Sequence, residues 1–336
     1  MPQVSVIVPV YNAAEALPRA IASLQNQTLA DLEIILVNDG STDNSPEICQ
    51  RVAEKDVRIR VFSQPNSGVS VARNTGLAHS TGEFIGFLDS DDIAKPEMIA
   101  TLVKRMLDTN ADMVMGGYEK VNGERVTSTV TLPYEGILTG KDVAVVSWSM
   151  AFWGGYRNHR RLHTLYGSTW PNLYRAKIIR KFPIEYPVGV TIGEDLLFNL
   201  QYLKVCNSVA FVNQSLYQYN AGNPSATRRV NPQLWNKYLD ILNRAKAILH
   251  DDENDELQMN FYRQTLAYAI NVIEEQGPLY ASEAERRLLI DALCKDGAIR
   301  NASKQLLLHG NSLKERMWGL LFYGGITRLI AKRLIN

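Results

Sequence analysis

Along the first 120 residues, short runs of apolar, β-rich side chains alternate with stretches in which apolar residues recur every three or four positions. The runs read as strands over 4–9, 33–38, 58–63, 83–88 and 112–116. The periodic stretches read as helices over 14–26, 43–55, 69–78 and 96–108. Ser41, Thr42 or Asp43 can cap the second helix, and Pro96 suits the first turn of the fourth. Strands that alternate with helices build a parallel sheet from crossover units, so the predicted class is α/β, a mostly parallel sheet with helices on both faces.

After Tyr118 the pattern weakens into β-like pieces, one short helix and the aromatic, basic segment FWGGYRNHRRLHTLYG, which reads as a substrate loop. A helix opens near Glu194, and two strand-like runs, 208–212 and 215–219, complete the sheet. Beyond Pro232 every periodic segment reads as helix. The chain therefore divides into an α/β domain over 1–220 and a helical region over 221–336.

With 336 residues, 46% of them hydrophobic, the chain can bury a full core and a smaller second one. The 36 basic and 35 acidic side chains nearly cancel, which excludes a global field for nucleic acid. Cys49, Cys206 and Cys294 have neither zinc-site spacing nor the density of a disulfide framework, which fits a reducing cytoplasm. The N-terminus lacks a signal-peptide pattern, and no window reaches the 18 apolar residues of a membrane span. Only the last 26 residues are biased: five basic side chains against Glu315, interleaved with Trp and bulky apolar residues. Such a segment either lies peripherally on an anionic membrane or packs on the α/β domain.

In an open parallel sheet, ligands bind beyond the carboxyl ends of the strands. Three of these ends carry polar groups: Pro9, Tyr11 and Asn12 after the first strand, Asn38, Asp39 and Gly40 after the second, and Asp89, Ser90, Asp91 and Asp92 after the fourth. In FLDSDD, Asp89 and Asp91 are spaced to face one divalent cation, with Mg²⁺ or Mn²⁺ suited to oxygen ligands and substrate phosphates. Asp92 can equally cap the following helix. No GxGxxG or P-loop follows the first strand, which excludes a dinucleotide or an ATPase reading.

Four segments, VSVIVPVYN, VNDGSTDNS, NSGVSVARNTG and FLDSDD, occur in an order and spacing that resemble family 2 of the nucleotide-sugar glycosyltransferases. The resemblance is close over the first third and implies a Rossmann-like fold of GT-A type. It implies inverting transfer from a nucleoside diphosphate sugar to a glycan or lipid-linked glycan acceptor, as in bacterial surface polysaccharide synthesis. It implies that Pro9, Tyr11 and Asp39 hold a base, favouring uracil, with Asn12 and Ser90 in the same donor site. Arg73 and the Gly68 backbone would lie against the nucleotide, Asp89 would reach ribose or metal, and Asp91 would be the principal metal ligand.

Inversion also needs a base beside the acceptor hydroxyl. Asp195, in the acidic pair that opens the helix TIGEDLLFNLQYL, is assigned that role by the resemblance, with Glu194 in support. Either carboxylate would also suit the helix dipole. Trp170 in GSTWPNLYR either stacks on an acceptor sugar or belongs to the core. Arg228 and Arg229 are candidates to close over a diphosphate, and His159 and His163 to complete a metal shell. A non-catalytic binding module and a sugar nucleotidyltransferase are the alternatives; the second usually needs a Gly-rich basic loop, which is missing after the first strand.

Overall fold

The computed structural model describes residues 2–123, 125–132, 135–151, 167–221, 230–249 and 255–334. His159, His163, Arg228, Arg229 and most of the aromatic, basic segment lie outside these described residues. Two compact units are present, Met1–Ser147 with Thr164–Asn223, and Trp148–His163 with Pro224–Asn336.

The chain opens with β1 (Val4–Val10), α1 (Leu17–Gln25), β2 (Leu32–Asp39), α2 (Ser45–Ala53), β3 (Ile59–Gln64), α3 (Val69–His79) and β4 (Phe84–Phe87). Every residue of β1 and β2 is buried, as parallel strands covered on both faces require. The helices are amphipathic; α1 buries Leu17, Ala20, Ile21 and Leu24, one stripe at helical spacing. These first four strands end within one residue of the predicted bounds.

The rest of the sheet departs further from its pattern. β5 (Ile93–Ala94) precedes α4 (Met98–Thr109), and β6 (Met113–Asn122) runs well beyond the predicted end at 116. β7 (Arg125–Val130), β8 (Ile137–Thr139), α5 (Val143–Ala151), β9 (Asn172–Arg175) and α6 (Ala176–Lys181) follow, then α7 (Glu194–Val205) and β10 (Ser208–Asn220). The two runs expected at 208–212 and 215–219 are one strand, whose register against β6 shifts between Phe211 and Ser215. Polar Asn213 and Gln214 look like a turn, but the strand absorbs them as an irregularity.

Strand order is β3-β2-β1-β4-β9-β6-β10-β5. β1, β2, β3 and β4 pair in parallel, and β6 pairs in parallel with β10. β9 is antiparallel to both β4 and β6, joining the two parallel groups. The expected α/β architecture is thus present, a central sheet with helices around it and a helical C-terminal region.

The second unit contains α8 (Leu234–Leu249), α9 (Asp255–Gln276), α10 (Glu283–Lys295), α11 (Gly297–His309), α12 (Leu313–Tyr323) and α13 (Thr327–Leu334). Its helix starts are written locally. Ser282 and Glu285 form a capping box on α10, Asp296 accepts from Ala298 N and Ile299 N on α11, and Ser312 accepts from Glu315 N on α12. Among the described residues no helix is long and apolar enough to cross a membrane.

Candidate active site

From β1 the chain winds outward through β2 and β3, then returns by α3 to β4 on the opposite side of β1. Such a reversal leaves a crevice beyond the carboxyl ends of the strands. A cavity of about 430 Å³ lies there, lined by Pro9, Val10 and Tyr11 after β1, Asp39 after β2, Asn66, Gly68 and Arg73 around the start of α3, and Asp89, Ser90 and Asp91 after β4. Most of the expected donor-site residues therefore share one wall. Asn66, Val69 and Ala72 also line it; all three lie in the segment NSGVSVARNTG, where the resemblance gives roles to Gly68 and Arg73 alone.

Tyr11 is 50% exposed and offers an open ring to the crevice. Asn12 follows Tyr11 and is held between the loops: its Oδ1 accepts from Thr42 N at 2.8 Å and its own N–H donates to Ser41 Oγ at 3.1 Å. Asn12, at φ 47°, thereby ties the β1 loop to the β2 loop. Asp39 is buried, with Oδ1 accepting from Gln64 Nε2 and Ser67 N, and Oδ2 from Gly68 N, all within 2.9 Å. A carboxylate offers about four lone-pair positions, so Asp39 both fixes the loop before α3 and keeps capacity for one ligand N–H. Gly40 and Gly68 take left-handed φ of 68° and 89°, and a Cβ on Gly40 would meet Asn66 N at 2.5 Å.

The deepest feature is an arginine held by three carboxylates. Arg73, 3% exposed, donates through Nη2 to Asp89 Oδ1 at 2.8 Å and through Nη1 to Asp195 Oδ1 at 2.9 Å and Glu194 Oε1 at 3.2 Å. Its guanidinium lies 5.1 Å from the Tyr186 ring centroid. Burial alone would favour the neutral form, but Asp195, Asp89, Tyr186 and Glu194 outweigh it and hold Arg73 firmly charged. Asp195 also accepts from Thr169 N at 3.2 Å. Burial pushes its carboxyl up to about 7; Arg73 opposes that rise, while Glu194 and Asp89 add to it. Thr169 is itself held, since Tyr186 donates its hydroxyl to Thr169 Oγ1 at 2.9 Å. Tyr186 and Thr169 went unnoticed in the sequence because nothing near them in the chain marks their place beside Asp195.

Trp170 is 9% exposed and lies parallel to Tyr217 and Tyr219, with centroids 4.4 and 5.3 Å away. Its ring thus packs among aromatic side chains, as the core alternative expects. Its indole Nε1 donates to Asp89 Oδ2 at 3.1 Å, so Trp170 and Arg73 grip the two oxygens of Asp89. Asp92 faces away from a helix-capping role: Tyr217 donates its hydroxyl to Oδ2 at 2.6 Å and Asn220 N donates to Oδ1 at 2.8 Å, pinning the acidic loop to β10. Burial and the nearby Asp89 raise its carboxyl to about 8, against those two hydrogen bonds.

Asp91 lines the crevice two residues beyond Asp89. Among the described residues no three His, Cys, Asp or Glu side chains form a ready-made metal cage. That donor set still fits Mg²⁺ or Mn²⁺, which bind through one or two carboxylates and fill the shell with waters and phosphate oxygens.

A family profile described as Glycosyl transferase family 2 matches residues 5–193, more than half of the chain and every strand that borders the crevice. The chain belongs to glycosyl transferase family 2. EpsJ of Bacillus subtilis (strain 168), an uncharacterized glycosyltransferase, is 33% identical over 68% of this family 2 chain and 63% of its own length. The chain spans 38–63% of the length of three such curated relatives, EpsJ among them. The S. aureus TarS 1-349 structure in complex with UDP-GlcNAc superposes with TM-score 0.70 at 20% identity, covering 99% of this chain and 92% of that one. The mannosyltransferase PcManGT from Pyrobaculum calidifontis, solved with GDP-Man and Mn²⁺, gives 0.55 at 16% identity over 100% and 88%. Both likenesses establish the GT-A-like fold.

Proposed function

We propose that this chain transfers a sugar, with inversion, from a nucleoside diphosphate donor to a hydroxyl of a glycan or lipid-linked glycan in cell-surface polysaccharide synthesis. One observation carries the reading: Arg73 joins Asp89, on the crevice wall, directly to Asp195. A donor-sized cavity and a carboxylate of raised basicity thereby become neighbours.

The donor base enters beside Tyr11, whose exposed ring stacks on it, and Asp39 accepts a ring N–H, which favours uracil. TarS, with its UDP-GlcNAc complex, supports a UDP-sugar for this chain also. Asp91 would hold a Mg²⁺ or Mn²⁺ ion, and PcManGT, solved with Mn²⁺, supports that assignment. Such an ion supplies charge neutralisation to the diphosphate. Asp89, gripped by Arg73 and Trp170, presents its remaining lone pairs to the donor.

The acceptor hydroxyl attacks the anomeric carbon from the face opposite the diphosphate. Its proton passes to Asp195 Oδ, the new C–O bond forms, and the old one breaks with its electron pair leaving on the diphosphate. A carboxyl that titrates near neutrality is suited to this, because a base works best when its pKa lies close to the working pH. Arg73 keeps Asp195 ionised enough to accept the proton, and Thr169 N fixes its orientation. The test is donor turnover, with UDP-, GDP-, CDP- and dTDP-sugars supplied in turn with Mn²⁺. Release of nucleoside diphosphate that needs Mn²⁺ and vanishes in Asp91→Ala is expected; binding without turnover for every donor and acceptor offered would make the chain a binding module.

A further inference from the structure

The second unit ends in two short helices with an unusual surface. On α12, Leu313, Met317 and Leu320 recur at helical spacing and share one face, with Leu313 89% and Leu320 50% exposed. Tyr323, with the Arg300 guanidinium 5.1 Å from its ring centroid, Ile326 in the connecting turn and Leu329 on α13 are exposed as well. Phe322 and Ile330 point the other way and are buried. A groove of about 360 Å³ runs between the helices, lined by Met317, Leu321 and Leu329 together with Lys332 and Arg333. Arg333 spans it, with Nη1 3.1 Å from Met317 Sδ and its guanidinium 6.0 Å from the Trp318 ring centroid.

Charge identifies the occupant. Within the two helices Lys314, Arg316, Arg328, Lys332 and Arg333 are accompanied by one acidic side chain, Glu315, whose carboxylate pairs with Arg263 of α9 at 3.3 Å. The cations around the leucines are therefore not balanced from within the two helices. Cores of protein–protein interfaces are depleted in Lys. An anionic lipid surface takes up both features at once, aliphatic side chains at the acyl boundary and cations at the headgroups. With 11 and 8 residues, α12 and α13 are too short to span a bilayer and long enough to lie in its surface. We propose that α12 and α13 dock this protein on an anionic lipid bilayer, with Leu313, Leu320 and Leu329 inserted and Lys332 and Arg333 at the phosphates.

The experiment is co-sedimentation of the full chain with vesicles of phosphatidylcholine alone or mixed with phosphatidylglycerol, at low and high salt. Binding to the anionic vesicles that weakens with salt is expected. Leu320→Glu with Leu329→Glu should abolish it while leaving the circular dichroism spectrum and nucleotide-sugar binding unchanged. Lys332→Glu with Arg333→Glu should lower anionic-vesicle partitioning by about tenfold or more and leave any weak binding to phosphatidylcholine in place. Wild-type protein that stays in the supernatant with both vesicles overturns the proposal. So does light scattering that shows a self-associated species broken by the leucine pair, since the face would then serve a second copy of the chain.

Discussion

The crevice and the Arg73 cluster share Arg73 and Asp89 but are otherwise built in opposite ways. The crevice is assembled from short segments at strand ends, and its carboxylate Asp39 leans on backbone N–H groups less than thirty residues away. The cluster ties Arg73 to partners 121 and 122 residues distant and excludes most solvent from four charges. A partly open, backbone-bonded pocket tolerates change locally. A buried ion cluster does not, because removing one member leaves the others desolvated and unmatched.

Asp195→Asn separates the two regions most sharply. Transfer should fall by on the order of 10²–10⁴-fold as the base is lost, while the UDP-induced rise in melting temperature persists. Loss of both together would mean that crevice and cluster are one unit. Next comes Arg73→Gln, which leaves three carboxylates facing one another and should cost about 3–5 kcal/mol in urea denaturation. If folded protein is recovered, its pH–rate profile is informative. Wild-type activity should rise with pH through about 7 as Asp195 ionises, and the rise should move to higher pH without Arg73, because the cation is what holds that carboxyl down.

The same titration has a stability consequence of definite sign. The folded-state pKa of Asp195 lies above its ordinary value of 3.8, so between about 4 and about 7 the native state binds more protons than the unfolded chain. This contribution is present in full below that window and is lost as pH rises through it, and Asp195→Asn should flatten the decline in urea midpoint. Smaller effects belong to the crevice. Asp39→Asn should weaken UDP binding and loosen the loop before α3 by about 1–3 kcal/mol in all, read by calorimetry and melting. Tyr11→Ala should cost only about 0.5–1.5 kcal/mol of donor affinity with folding unchanged.

Legibility in the sequence follows the same divide. Strands β1 to β4 and the residues at their ends could be read because each is a contiguous buried run with its polar tip adjacent. Asp195 and Glu194 could be placed on a helix start, but their tie to Arg73 is a product of tertiary folding that no local pattern encodes. Trp170 shows the limit well, since an aromatic before an acidic pair suits either packing or sugar contact, and the tyrosines it packs against, Tyr217 and Tyr219, come some fifty residues later. β9 escaped notice because its four residues lie between β4 and β6 as an antiparallel insert, too short to show a period.

Gly76 lies one helical turn beyond Arg73 on α3, against β1, and a methyl group there would come within 2.4 Å of Ile7 Cγ2. The helix that carries the guanidinium thus packs on β1 with no room for a side chain at this contact. A single added carbon at that contact requires α3 or the Ile7 side chain to shift, so the ties from Arg73 to Asp89, Glu194 and Asp195 start from a helix seated on a hydrogen atom in place of a side chain at residue 76.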